Sequence, residues 1–145
     1  MLRKVSILLI FYLFATFLVA QRKQKDSLIE VLSAYESEKN FNDIDNLIAL
    51  ARTYRFRNPD SLLLLASKAL EKSEDLQYEK GKALSILRLG DYYSDIGKSS
   101  LAFNHYEKSK KLAFLENEFE IQVEILKSQA IQAVFSGKIK EAVNY

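Results

Sequence analysis

The chain has 145 residues, room for one domain and an N-terminal extension. Glycine occurs four times and proline once, which argues against a turn-rich all-β domain and for an all-α fold. The net charge of +2 comes from residues 1–20: without Arg3 and Lys4 the 21 basic residues fall to 19 and match the 19 acidic ones, so there is no electrostatic case for nucleic acid. Cysteine is absent, which excludes disulfides, thiolate metal sites and a lipidated cysteine, and leaves the redox compartment open.

The first element is an address. Arg3 and Lys4 precede a nonpolar run from Val5 to Ala20, broken only by Ser6 and Thr16. A basic head, an apolar stretch and a small residue before a polar segment predict a secretory signal over residues 1–20, cut between Ala20 and Gln21. The sixteen-residue run is short of the roughly 20 residues that span a bilayer. Leu18 stands where a small residue is usual, and Arg22, Lys23 and Lys25 oppose translocation of that flank. An uncleaved membrane anchor and a buried core helix are the alternative readings.

Ser27 to Lys39 reads as an N-terminal packing helix. Ser27 and Glu30 form a capping-box pattern, and Leu28, Ile29, Leu32 and Tyr35 fall near one face. Asn40 and Asn42 interrupt it. The next helix is expected over Ile44 to Phe56, with Ile44, Leu47, Ile48, Ala51 and Tyr54 on one stripe. Asn58-Pro59-Asp60 ends it and opens another: asparagine caps, proline suits the first helical position, and aspartate suits the helix dipole. That helix runs from Pro59 to about Leu76. Glu79 to Ile96 follows, with Ala83, Ile86, Leu87, Gly90 and Tyr93 at helical steps, and Gly97 stops it. A helix opening at Ser99 or Ser100 carries Ala102, Tyr106 and Ala113. Glu120 to Phe135 is the next, with Val123, Leu126, Ala130 and Ala133, ended by Gly137. A last helix begins near Ile139.

The helices after residue 43 come in pairs, and the pairs repeat. Gly97 and Ala102 are echoed by Gly137 and Ala142, forty residues on. Leu126, Ala130 and Ala133 stand 40 after Ile86, Gly90 and Tyr93; Leu62, Ala66 and Ala69 stand 40 before Ala102, Tyr106 and Ser109. Leu47, Leu50-Ala51 and Tyr54 stand 39 before Ile86, Leu89-Gly90 and Tyr93. Small Gly90 and Ala102 would let two helices approach closely, while Tyr93 and Tyr106 would fill the space between pairs. This pattern resembles the tetratricopeptide repeat, over units of about 44–78, 83–119 and an incomplete 123–145. The third unit departs from it at Gln129 and Ala133. An ordinary antiparallel bundle is the alternative. The leader, Asp26-Ser27-Leu28, Tyr54-Arg55-Phe56-Arg57-Asn58-Pro59-Asp60-Ser61 and Ala66-Ser67-Lys68-Ala69-Leu70 are similar to the N-terminal region of exported bacterial repeat proteins. Many of those continue into more repeats, a membrane helix and a histidine-kinase or helix-turn-helix output module.

The resemblance implies an all-α superhelix of antiparallel helix pairs. Its repeat-packing positions are Ala51, Tyr54, Ala66, Gly90, Tyr93, Gly97, Ala102, Tyr106, Ala130, Gly137 and Ala142. In that family the first helix of each pair lines a concave groove, which places Ile48, Arg52, Arg55, Leu87, Arg88, Asp91, Lys127 and Ile131 toward a bound peptide. Four of these are basic, which would suit an acidic peptide or a free carboxylate. Tyr145 falls inside the second helix of the third unit, so the chain reads either as a piece of a longer protein or as a short one that oligomerises over its last face.

The residues offer little for catalysis. His105 is the single histidine, beside the packing residue Tyr106, so a nucleophilic triad would have to recruit it alone. Cys/His metal sites are excluded, and the carboxylates scatter along helix faces without a singled-out pair. Four distant glycines make no phosphate loop. Aromatic residues at core spacing do not interleave with a basic patch as a nucleic-acid surface would require. The expectation is a non-catalytic, exported, periplasmic or membrane-anchored module that binds protein or peptide, without cofactor, metal or nucleic acid. Membrane contact would come only through the N-terminal segment or downstream sequence. The alternative is the sensory input region of a membrane-bound kinase or regulator.

Overall fold

The computed structural model describes residues 9, 12–20, 22–23, 27, 30, 33, 40–138, 140, 143 and 145. The chain divides into two units, Met1–Ser37 and Glu38–Tyr145. In the first, residues 12–20 are helical, and Thr16 Oγ1 donates to the Leu13 carbonyl at 2.9 Å. No helix among the described residues is long and apolar enough to cross a membrane. Of the expected helix at 27–39, only Ser27, Glu30 and Ser33 are described, and they are helical; the remainder lies outside the described residues, as does most of the stretch after residue 138.

The second unit is all-helical among its described residues: α1 (Phe41–Thr53), α2 (Pro59–Asp75), α3 (Glu79–Asp95), α4 (Ser99–Leu115) and α5 (Phe119–Phe135). The first helix is displaced from its expected range of 44–56. Asn40 accepts the Asp43 N–H at 2.8 Å and caps α1, so it opens this helix, and Asn42 sits within the first turn. An asparagine in the extended conformation starts a helix more readily than it interrupts one. The other asparagine signal is seen as expected: the Asn58 side chain accepts the Ser61 N–H at 3.0 Å, with Pro59 in the first turn.

From α2 onward the geometry repeats on half the spacing noted in the sequence. Helices start at residues 59, 79, 99 and 119, and each is 17 residues long. Each ends on a residue with positive φ: Gln77 (52°), Gly97 (74°), Asn117 (57°) and Gly137 (75°). The following N–H returns to a carbonyl five residues back, Tyr78 to Ser73, Lys98 to Tyr93, Glu118 to Ala113 and Lys138 to Ala133, at 2.8–2.9 Å. This bond closes a Schellman turn and satisfies carbonyls the helix leaves open. The forty-residue echo is therefore two steps of the same hairpin turn, with glycine at alternate ones.

Short turns force consecutive helices to pack against one another, and they do, from α1–α2 through α4–α5. Packing also joins α1 to α3 and α3 to α5, and no comparable packing joins α2 to α4. The odd-numbered helices thus stand side by side in one row. The core between the rows contains Ile44, Leu47, Leu62, Leu65, Ile86, Leu87, Tyr106 and Ile125, all fully or almost fully buried. Each large side chain so buried contributes on the order of 1.5–3 kcal/mol. Small residues set the helix spacing. Ser109 Oγ donates across to the Ala83 carbonyl at 2.7 Å, and a Cβ on Gly90 would lie 2.5 Å from the Tyr106 ring.

That contact predicts the effect of filling Gly90. Gly90→Leu should destabilise the fold by roughly 1–3 kcal/mol through overpacking, read as a lower thermal midpoint by circular dichroism. An unchanged midpoint would mean that α3 and α4 do not approach at Gly90 as closely as described.

Candidate functional site

The row of odd-numbered helices carries a chain of charges. On α3, Arg88, Asp91 and Asp95 recur at three- and four-residue steps and so share a face. From α1, Arg52 and, in the turn after it, Arg55 reach the same place. From α5 come Glu124 and Ser128. Arg52 pairs with Glu124 at 3.3 Å, and Glu124 also accepts from Arg88 Nη2. Arg88 Nη1 meets Asp91 Oδ2 at 2.6 Å, and Asp91 Oδ1 meets Arg55 Nη1 at 2.9 Å. Arg55 Nε lies 3.8 Å from Asp95, whose other oxygen accepts the Phe56 N–H at 2.7 Å. Cation and anion alternate along this path, three of each.

Most of this chain is out of water. The side chain of Asp91 is 0% exposed and that of Arg88 2%, against 66% for Arg52 at the outer end. Burying such groups costs several kcal/mol each, offset only when pairing is nearly complete. Asp91 achieves this with two guanidinium groups and the Tyr106 hydroxyl, which donates to Oδ1 at 3.1 Å. Burial, and then the Asp91 charge, raise the Tyr106 pKa well above the ordinary phenol value, so it stays a donor. Burial likewise raises the Asp95 carboxyl above its usual range, against the Phe56 N–H and Arg55, which pull it down.

Beside the chain lies a cavity of about 270 Å³. Asp45, Ile48, Ala49 and Arg52 of α1, Lys80, Leu84 and Arg88 of α3, and Glu124 of α5 line it. Apolar Ile48, Ala49 and Leu84 and five charged side chains share the lining, with Arg88 among its most buried members. Lys80 pairs with Glu118 at 3.3 Å. Tyr78 stacks on Phe41 with centroids 4.3 Å apart and donates to Asp45 at 3.1 Å; burial first, and then Asp45, push its pKa up to about 12.

The expected groove residues separate into groups. Ile48, Arg52 and Arg88 line the cavity, and Arg55 stands next to it, bridging α1 to α3. Leu87 is fully buried in the core, and Asp91 is buried within the ion chain, so neither presents an open surface. Lys127 is exposed and Ile131 half-buried on α5, and neither lines the cavity. Of the four basic residues expected to suit an acidic peptide, Arg52, Arg55 and Arg88 are each paired with a carboxylate of this chain. The repeat resemblance pointed to this face of α3 but could not show that α1 and α5 bring it counter-charges. Asp45, Lys80, Asp95 and Glu124 were missed; of these only Asp95 had a signal in the sequence, its helical spacing from Arg88 and Asp91.

Among the packing positions, Ala51, Ala66, Gly90, Ala102 and Tyr106 are buried, and Tyr54, Tyr93 and Ala130 half-buried. Gly97 and Gly137 sit exposed in turns, and Ala142 lies outside the described residues. His105 Nδ1 donates to the Leu101 carbonyl at 2.8 Å, and its ring lies 4.8 Å from that of Tyr93. Among the described residues no group of histidines and carboxylates is placed to hold a metal ion. Comparison with protein-family models, curated proteins and solved structures gives no match.

Burial grades the expected cost of breaking the chain. Asp91→Asn leaves two inner guanidinium groups short of charge and should cost about 3–5 kcal/mol, whereas Arg52→Gln at the exposed end should cost under about 1 kcal/mol. Asp95 behaves differently. Its folded pKa is raised, so the folded state holds this proton more tightly, and its contribution to stability falls as pH rises from the unfolded value through the folded one. Relative to wild type, Asp95→Asn should therefore gain stability between about pH 3.5 and about pH 7. Urea unfolding at both pH values reads all three. Equal costs for Asp91→Asn and Arg52→Gln, or a pH-independent Asp95→Asn difference, would contradict the assignment.

Proposed function

We propose that this chain is a tetratricopeptide-like interaction module, a right-handed superhelix of helix pairs that holds an extended peptide against the row of α1, α3 and α5. The observation that carries the reading is the cavity between those three helices, lined by Ile48, Ala49 and Leu84 together with charged side chains. A mixed lining of this kind takes an apolar side chain, and its charged groups orient the peptide around it. The half-period of 20 residues and the pairwise packing of neighbouring helices support the repeat reading.

The partner of best fit carries carboxylates next to apolar residues. Arg52 and Lys80 are the lining cations most open to water, with side chains 66% and 41% exposed, and Lys127 is exposed one turn beyond Glu124. A guanidinium already paired on one edge still has donors for a second carboxylate. Nothing in the site calls for a bond-breaking step, and the module acts by binding. The basic and apolar leader supports delivery outside the cytoplasm, to the periplasm or its membrane surface.

Fluorescence polarisation with labelled peptides of alternating glutamate and leucine tests the site. Arg52→Glu should weaken binding about tenfold, equivalent to about 1.4 kcal/mol, while Lys68→Glu on α2 leaves it unchanged. Identical isotherms for wild type and Arg52→Glu would overturn the site. Delivery is read from the N-terminus of the protein recovered from the exported fraction. A first residue of Gln21 is expected, and protein confined to the cytoplasm would contradict it.

A further inference from the structure

The helices α1 and α5 are not packing neighbours: α3 stands between them. Side chains nevertheless join them across its face at three levels. Arg52 reaches Glu124 at 3.3 Å, Arg55 Nη1 donates to Ser128 Oγ at 3.0 Å, and the Phe56 ring lies 5.7 Å from that of Phe135. All three links leave the last turn of α1 or the turn just after it. Arg55 is the pivot, because the same side chain holds Asp91 on α3 and lies over the Phe56 ring at 4.8 Å.

The links differ in strength. The inner one is shielded, with the Arg55 side chain 11% exposed. The outer two are wet: Phe56 is 57% and Phe135 72% exposed, and Arg52 extends into solvent. Exposed ion pairs are each worth about 0–1 kcal/mol and weaken with salt. Helix pairs stacked in a row touch only their neighbours, so the angle between the first and third odd helix is a soft coordinate. Contacts that skip a helix fix that angle.

We infer that Arg52–Glu124, Arg55–Ser128 and Phe56–Phe135 form a clasp that holds α1 against α5 and narrows the face between them, and that releasing its two outer links opens the face. This rests on the proposed binding face only for its use; the clasp itself is a property of the free chain. The closed arrangement is the ground state. A partner carboxylate that takes Arg52 from Glu124 loosens the clasp as it binds, which makes affinity depend on the outer links as well as on direct contacts.

The absence of native cysteine makes the distance measurable. Asn46→Cys on α1 and Val123→Cys on α5, both exposed, carry spin labels for double electron–electron resonance on the full chain without any ligand. The clasped protein should give one narrow distance distribution. Adding Arg52→Gln and Phe135→Ser, which touch only exposed side chains, should lengthen the mean by roughly 5 Å, the scale of a one-turn shift, or broaden it to comparable width. Lys68→Gln, which breaks an ion pair on α2, should change nothing. Circular dichroism confirms retained helix in every variant. A distribution unmoved in the Arg52→Gln/Phe135→Ser protein would overturn the clasp. Loss of peptide binding with the distances as expected would refute the binding face and leave the clasp standing.

Discussion

The fold is organised around one buried carboxylate. Asp91 sits in the middle of α3 with no exposed side-chain surface, held by Arg88 from its own helix, Arg55 from the α1 end and the Tyr106 hydroxyl from α4. An apolar core would bury the same surface more cheaply, since ion pairs rarely recover their desolvation cost in full. What the carboxylate adds is direction. Leucine and alanine faces tolerate sliding and rotation, whereas a carboxylate with three donors accepts few arrangements. Through Arg88 and Arg55 the same group reaches Glu124 and Ser128 on α5, so one residue sets the relation of three helices.

Local turns supply the rest. Helices of 17 residues recur every 20, each ended by a residue in the left-handed region and a return bond to a carbonyl five back. Such turns leave consecutive helices no choice but to pack side by side. The odd-numbered helices then meet in a row, and their shared face carries both the ion chain and the cavity. Chain connectivity makes the row, and side-chain charge fixes its angles.

Local signals were legible in the sequence and distant ones were not. Asn58-Pro59-Asp60 and the two turn glycines, Gly97 and Gly137, marked helix ends because caps and turns are decided by a few adjacent residues. Gln77 and Asn117 adopt the same left-handed conformation as those glycines, and reading asparagine with glycine at that position would have exposed the shorter period. Asn40 was misread because one residue type both breaks and opens helices. The candidate site was half legible. The repeat resemblance placed Arg52, Arg55 and Arg88 along one groove, but their partners Glu124 and Asp95 lie 72 and 40 positions from Arg52 and Arg55 in the chain, beyond any local pattern. Basic residues that looked available to an outside anion are largely neutralised from within.

That neutralisation shapes what the face can do. On the proposed binding role, carboxylates already on the guanidinium groups would make the row discriminate by geometry more than by net charge, favouring a partner that fits the apolar part of the cavity lining and offers an anion at the exposed Arg52 end. The most direct measurement is the coupling between the two residues on which everything else leans. A double-mutant cycle on Arg55→Met and Asp91→Asn, by urea unfolding, should give a coupling energy of about 1–3 kcal/mol. Costs that simply add, with a coupling under about 0.3 kcal/mol, would show that α1 and α3 are not joined through this pair and would contradict the account.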